Sequence, residues 1–289
     1  ARALRRLRRG AFDVVHVHEP FAPGLTTALL LARKRPPMVA TFHRSGPSAL
    51  YRVAGRLAAP ATRRMEARCA VSAAAAATAS DALGGSYRIV PNAVDVTGYE
   101  AATPWPSSGR AILFLGRHEE RKGLGVLLEA FAALSAGGRV PDAELWVAGD
   151  GPQTSALRTR YADLSGCRWL GVVTEEEKRR RLAAADVLCA PSLGGESFGV
   201  VLLEGMAAGA LVVASDIDGY RQAAGGMAEL VAPGDPGALA GALAAALTLP
   251  PDEHQDRIAR ARAHAAMSGM DAAAGAYEQV YRQVVAGRA

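Results

Sequence analysis

Two glutamates eight residues apart, Glu196 and Glu204, and two cations five residues apart, Arg117 and Lys122, are the side chains whose type and spacing best suit chemistry. Glu196 lies in the run Gly194-Gly195-Glu196-Ser197-Phe198-Gly199. Glycines let a backbone approach a ligand closely and reach positive φ. The amides of Ser197, Phe198 and Gly199 would open a helix, and free N–H groups at a helix start bind phosphate or a sugar hydroxyl. A helix rising ~1.5 Å per residue keeps the glutamates within about 12 Å. That spacing suits one acid on a sugar and one on a ribose, at opposite ends of a nucleotide sugar. It does not suit a glycosidase pair, which sits about 5–9.5 Å apart. The plain structural alternative is a capped helix carrying a surface glutamate.

The segment Gly116-Arg117-His118-Glu119-Glu120-Arg121-Lys122-Gly123 follows an apolar run and precedes a helical one. Arg117 and Lys122 could converge there on a diphosphate and neutralise a leaving group; a charged turn is the alternative. It is not a P-loop, because no Ser or Thr follows the lysine in frame. Thr41-Phe42-His43 ends a strand, where His43 could bond a substrate hydroxyl or serve the fold. Gly171-Val172-Val173-Thr174-Glu175 offers backbone to a base, a weak signal alone. His16 and His18 alternate on a strand ahead of Glu19, and no set of three or four convergent ligands suggests a metal. Asp216-Ile217-Asp218 matches an Asp-x-Asp metal motif but lies far from the donor segments, and reads as a loop acid pair. Gly123-Leu124-Gly125 lacks the third glycine of a dinucleotide fingerprint, which disfavours a dehydrogenase.

The elements that must carry these residues alternate along the chain. Strands are expected at 13–18, 37–42, 70–71, 88–90, 111–115, 143–148, 168–170, 187–190 and 211–214. Helices are expected at 2–9, 49–69 with an interruption near Pro60, 72–83, 123–134, 155–164, 175–184, 198–208, 237–247 and 252–285. Short apolar runs between helices indicate parallel sheets covered on both faces. Ligands of such sheets bind at the carboxyl ends of the strands, where the segments after Leu115, Leu170 and Ala190 fall. The composition of 103–109, with Pro104, Pro106, two serines and a glycine, is that of a linker. The expected division is 1–98 for a first Rossmann-like lobe, 99–110 for a linker, 111–268 for a second lobe and 269–289 for a terminal helix.

At 289 residues, half of them hydrophobic, the chain is long enough for two cores. No apolar run reaches the ~20 residues of a membrane span, and no secretory signal opens the sequence. Three widely spaced cysteines, Cys69, Cys167 and Cys189, suggest a reducing compartment. The net charge is +5, and Arg2, Arg5, Arg6, Arg8 and Arg9 account for all of it. Such a cluster, with Leu4 and Leu7 between, suits an anionic membrane surface or a solvated helix face. Nucleic acid is disfavoured, since no aromatics interleave with the arginines.

Together these segments resemble the GT-B retaining glycosyltransferases, whose signature is the Glu196-x7-Glu204 pattern preceded by Arg117 and Lys122. The likeness is closest to the phosphatidyl-myo-inositol mannosyltransferases of actinobacteria, through His16-Val17-His18-Glu19-Pro20, Thr41-Phe42-His43, Pro91-Asn92 with Val94-Asp95, Gly116-Arg117 with Arg121-Lys122-Gly123, and Cys189 to Gly209. The resemblance implies two Rossmann-like, doubly wound α/β lobes with the first incomplete, because the chain starts after the family's first strand and Gly-rich loop. It implies that Arg117, Arg121 and Lys122 hold the donor diphosphate. Glu196 and the amides of Ser197, Phe198, Gly199 and Val200 would hold the sugar, and Glu204 the ribose. Val173, Thr174, Glu175 and Lys178 would border the base, and His43 would face the reacting centre. The implied donor is GDP-mannose, with no cofactor or metal required. The implied acceptor is a phosphatidylinositol-type lipid at the cytoplasmic, inner face of the cell membrane, and the terminal helix, 271–285, would cross back to the first lobe. A UDP-sugar donor, another acceptor, or an inactive nucleotide-sugar-binding fragment are the rival readings.

Overall fold

The computed structural model describes residues 5–7, 10–22, 24–32, 35–46, 51–53, 55, 60, 62–107 and 109–287. Arg2, Arg8 and Arg9 of the basic cluster lie outside them, while Arg5 and Arg6 are helical. The chain forms two compact units, one of residues 1–92 with 271–289 and one of residues 93–270.

The first unit holds a four-stranded parallel sheet in the order β1 (Val15–His18), β2 (Met38–Phe42), β3 (Ala67–Ala70), β4 (Arg88–Ile89). Helix α1 (Leu25–Leu31) joins β1 to β2, and α2 (Ala73–Leu83) follows β3, capped by the Ser72 hydroxyl, which accepts from Ala75 N at 3.0 Å. Strand alternation sorts the side chains between the two faces. Val17, Met38, Ala40 and Phe42 pack with Leu30, Ala79 and Ala82. Val39 and Cys69 pack with Val280 and Val284.

The second unit is the clearer case of a doubly wound sheet. Its strands are β5 (Arg110–Leu115), β6 (Ala143–Ala148), β7 (Cys167–Gly171), β8 (Val187–Ala190), β9 (Leu211–Ser215) and β10 (Glu229–Val231), all parallel in the order β10-β9-β8-β5-β6-β7. Odd and even residues of one strand enter different cores. Leu113, Trp146, Leu188 and Val212 join Leu202 and Met206 on one face, whereas Ile112, Leu145, Cys189 and Val213 join Leu127, Phe131 and Leu243 on the other. These residues come from α4 (Leu124–Ala136), α7 (Val200–Ala208) and α9 (Pro236–Leu247). The remaining helices are α3 (Val96–Glu100), α5 (Thr154–Arg160), α6 (Glu175–Ala184), α8 (Asp218–Ala224) and α10 (Pro251–Ala266); α11 (Met270–Ala286) runs into the first unit.

Three departures from the sequence pattern have physical causes. Residues 67–69, expected as helix, are strand, because β3 fills the place between β2 and β4 and tertiary pairing outweighs Ala-rich helix propensity. The expected helix 252–285 breaks between Ala266 and Met270, where Val94 N donates to Ser268 O at 2.9 Å and a β-bridge joins Val94 to Gly269. Residues 96–100 form a helix anchored by buried Tyr99. Beside it, Trp105 is stacked under the guanidinium groups of Arg180 and Arg181 at 4.7 and 4.1 Å. Among the described residues no helix is long and apolar enough to cross a membrane.

Candidate donor site

The chain leaves β5, builds β6 and β7 on one side, then returns to lay β8 against β5 from the other. A crevice opens at such a reversal, beyond the carboxyl ends of the two strands. Both charged segments emerge there. Residues 120–122 form a single 3₁₀ turn closed by Gly123 at φ 70°, ψ 18°. A Cβ on Gly123 would lie 1.9 Å from Pro191 O, so only glycine lets this loop touch the one that follows β8. Leu193 N then donates to Arg121 O at 2.7 Å, tying the loops together.

The contact brings the charges together. Lys122 Nζ lies 2.7 Å and Arg121 Nη1 2.8 Å from the same oxygen, Glu196 Oε1. Ser192 Oγ donates to that oxygen at 3.4 Å and is itself 2.8 Å from Tyr220 OH. Arg121 Nε also meets Glu119 Oε2 at 3.0 Å, and Arg117 Nε meets Glu119 Oε1 at 2.6 Å. Arg117 therefore joins the cluster only through Glu119, and its side chain is 71% exposed against 20% for Lys122. Arg121, not Arg117, shares Glu196 with Lys122. Burial raises the Tyr220 phenol above its usual pKa, with the Glu196 charge adding to it. That phenol stays neutral beneath the loop.

Helix α7 begins at Val200, not Phe198. Its N-cap is Gly199 at φ 87°, whose α-carbon faces the Tyr220 ring so closely that a Cβ would lie 2.6 Å from it. No side chain caps this end, so its first amides are open to a ligand. Ser197 and Phe198 belong to the approach loop, with Phe198 buried in the core.

Glu204, one turn into α7, meets Lys178 of α6. Lys178 Nζ is 3.0 Å from Glu204 Oε1 and 2.9 Å from Glu175 Oε2, and Tyr99 OH donates to Glu175 Oε1 at 3.3 Å. Burial opposes the charge on Lys178, but its bonds to Tyr99, Glu204 and Glu175 outweigh that, so the ammonium titrates above its ordinary range. Burial likewise works against the Glu175 carboxylate, and Lys178 reverses it, lowering the pKa. Thr174 Oγ1 accepts from Glu177 N at 3.1 Å, so its hydroxyl caps α6. Val173 packs partly against the core beneath the same loop, while Val172 is exposed. Asp216 and Asp218 are both paired with Arg221, the latter at 2.8 Å, which accounts for the Asp-x-Asp match.

His43 lies in the first unit, just past β2. Its Nε2 is 2.7 Å from His18 Nδ1, and its backbone N–H is held by Glu19 Oε1, which also accepts from Arg44 N at 2.7 Å. Burial lowers the pKa of His43 and His18, and the mutual repulsion of the rings lowers that of His43 further, against an opposing pull from Glu19. Among the described residues no group of three or more His, Cys, Asp or Glu is placed to hold a metal.

The residues the sequence did not single out are Tyr99, Ser192, Tyr220, Glu119 and His18 as a partner of His43. Ser192 and Glu119 sit within or beside the recognised loops. Tyr99 and Tyr220 carried no spacing signal, since each reaches the site from a different helix.

Two parallel-sheet lobes with charged loops at the β5/β8 reversal define the GT-B fold. Residues 109–248 match the family described as glycosyl transferases group 1, and residues 1–97 match glycosyltransferase family 4. The chain belongs to this group 1/family 4 of glycosyltransferases. It is 43% identical over 239 residues to the phosphatidyl-myo-inositol mannosyltransferase of Mycolicibacterium smegmatis, covering 81% of this chain and 59% of that one. It is 40% identical over 255 residues to the enzyme of the same name from Mycobacterium leprae, covering 86% and 67%. The chain thus spans about 59% of the length of the first of these relatives. Among solved structures, a glycosyltransferase from Rickettsia africae superposes with a TM-score of 0.79 at 18% identity, over 98% of this chain and 79% of that one.

Proposed function

We propose that this protein transfers mannose from GDP-mannose to a phosphatidylinositol-type lipid with retention at the anomeric carbon. The observation that carries the reading is the convergence of Lys122 and Arg121 on Glu196 Oε1 at the sheet reversal, taken with the activity named for the mycobacterial relatives. Cations placed there neutralise the charge that develops on a departing diphosphate. Glu196 accepts hydroxyls of the hexose, the open amides from Val200 onward meet the diphosphate or sugar, and Glu204 accepts from the ribose. Lys178 and the 173–175 segment border the base. Arg117 supplies a third cation from the rim.

In the transfer, the bond from the anomeric carbon to the diphosphate oxygen breaks and its electron pair leaves on that oxygen. The acceptor hydroxyl attacks from the same face, its oxygen bonds the anomeric carbon, and its proton passes to the departing diphosphate. His43 bonds a hydroxyl of the transferred sugar. No cofactor enters this scheme. On this reading the reaction runs at the inner, cytoplasmic face of the membrane with the protein peripheral to it, a reading supported by the lipid acceptor named for the relatives and by the arginines in the first ten residues of the sequence.

Calorimetric titration with GDP, UDP and GDP-mannose tests the donor. GDP and GDP-mannose are expected to bind at least about tenfold more tightly than UDP. Lys122→Ala, which removes one charge-assisted bond, is expected to weaken GDP binding about 10- to 100-fold. Equal affinity for UDP would overturn the donor assignment, and an unchanged Lys122→Ala would overturn the site.

A further inference from the structure

We infer that His18 is a positioning residue that fixes the ring orientation of His43 and couples the His43 tautomer to its own, and that it is itself braced through His16 by Tyr281. This deepens the reading of His43 given above and rests on it.

The sheet register sets up the arrangement. His16 and His18 are two apart on β1 and share a face. His18 is paired with Thr41 on β2, so His43, two residues beyond Thr41, comes next to His18 on the same face. The three imidazoles form a row, with centroids 4.3 Å apart for His16 and His18 and 5.0 Å for His18 and His43. Tyr277 and Tyr281 of α11 close the far end. Tyr281 OH is 2.7 Å from His16 Nδ1, Thr41 Oγ1 is 2.7 Å from His16 Nε2, and Tyr277 OH is 3.2 Å from Thr41 Oγ1. Both nitrogens of His16 are thereby engaged, which fixes its ring as a wall for His18.

At the near end, an N···N separation of 2.7 Å between His18 Nδ1 and His43 Nε2 needs one proton on the line between them. If His43 supplies it, His43 Nδ1 is a bare acceptor; if His18 supplies it, His43 Nδ1 carries the proton and donates. The tautomer of His43 is therefore tied to that of His18. Glu19 fixes the backbone of His43, but it has no bond to the ring. Its own φ of 49° is the sole positive value at a non-glycine residue among those described. The charged and titratable groups around His43 are His18, Glu19, Arg44, His16 beyond His18 and, edge-on to His18, Tyr277. Of these only His18 engages a ring nitrogen.

Asparagine and glutamine separate positioning from bulk. The amide of Asn places a donor and an acceptor where Nδ1 of histidine lies, and that of Gln places them where Nε2 lies. His18 uses Nδ1, so His18→Asn preserves the bond and His18→Gln does not. The chain has six histidines, few enough to assign imidazole nitrogen resonances by substitution. Nitrogen NMR on the chain at pH 7 is expected to give His43 Nε2 the shift of a hydrogen-bonded ring nitrogen in the wild type and in His18→Asn, and the shift of a ring nitrogen without that bond in His18→Gln. Thermal melts confirm that each variant is folded. In the transfer assay His18→Gln is expected to lower kcat about 10- to 100-fold with KM little changed, and His18→Asn to stay within about threefold. A His43 spectrum in His18→Gln identical to the wild type would overturn the inference. If His43→Ala left turnover intact, the reading of His43 and the catalytic use of the pair would both fall, whereas a slow His43→Ala beside a normal His18→Gln would sink the positioning role alone.

Discussion

Replacing Gly123 with alanine tests the link between the two charged loops at the proposed donor site. The new Cβ would stand 1.9 Å from Pro191 O and 2.8 Å from its carbonyl carbon. Reaching an ordinary 3.4 Å contact requires the loops to part by about 1.5 Å. The left-handed backbone at φ 70° adds about 1 kcal/mol for any residue with a Cβ. Overpacking against main chain adds roughly 1–3 kcal/mol, so the variant should lose about 2–4 kcal/mol. Separation on that scale breaks the Leu193 N to Arg121 O bond and carries Lys122 and Arg121 away from Glu196. Loss of one charge-assisted contact to a diphosphate then weakens GDP binding about tenfold or more. Gly125→Ala is the control. It lies in α4, where a Cβ would meet only Leu157 Cδ2 at 3.7 Å, and it should gain up to about 1 kcal/mol. Scanning calorimetry and titration with GDP read both effects. A Gly123→Ala protein that melts and binds like the wild type would refute the idea that contact between the loops builds the site.

Two further outcomes follow from the charge networks. Lys178→Met removes the cation shared by Glu175 and Glu204; GDP affinity should fall about tenfold and stability by about 1–2 kcal/mol, and a titration matching the wild type would show that Lys178 does not hold Glu204 for the ribose. Burial, followed by repulsion from His18 and His43, lowers the pKa of His16 to about 4, so the unfolded chain takes up this proton first as the pH falls below its ordinary value. The first unit should keep its full stability above pH 6.5 and lose up to about 3 kcal/mol between there and pH 4, less to the extent that partial exposure screens the charge. Urea denaturation of the wild type against His16→Gln checks this, and parallel pH profiles for the two would count against it.

The two charged loops were legible because charged residues flanked by glycines followed short apolar runs that read as buried strands. The placement of Arg121, Lys122 and Glu196 at strand ends follows from that grammar alone. Their pairing was not legible. Arg117 and Lys122 looked equivalent as cations near a strand end, but the 3₁₀ turn at 120–122 rotates Arg121 and Lys122 toward Glu196 and leaves Arg117 at the rim. Tyr99 was hidden just before the linker-like composition of 103–109, because a five-residue helix is too short to show periodicity. The break at 267–269 was hidden for the opposite reason: alanine-rich sequence on both sides sustains helix propensity, and only pairing with Val94 interrupts it.

The geometry of Glu196 bears on why a carboxylate should sit among the cations of the proposed diphosphate site. Arg121, Lys122 and Ser192 all reach Oε1. A carboxylate anchored through one oxygen is fixed in rotation about its last bond, and the direction of the second oxygen is set with it. That suits the proposed role of Glu196 as a rigid acceptor for hydroxyls better than that of a nucleophile, since two cations on Oε1 draw off the charge that a nucleophile would need. Lys122 and Arg121 in turn are oriented by the acid they hold, so the groups that would meet the sugar and those that would meet its diphosphate are aligned by one contact. Glu196→Gln keeps the shape and removes the charge that aligns them, and for that reason it separates orientation from simple hydroxyl recognition better than alanine does.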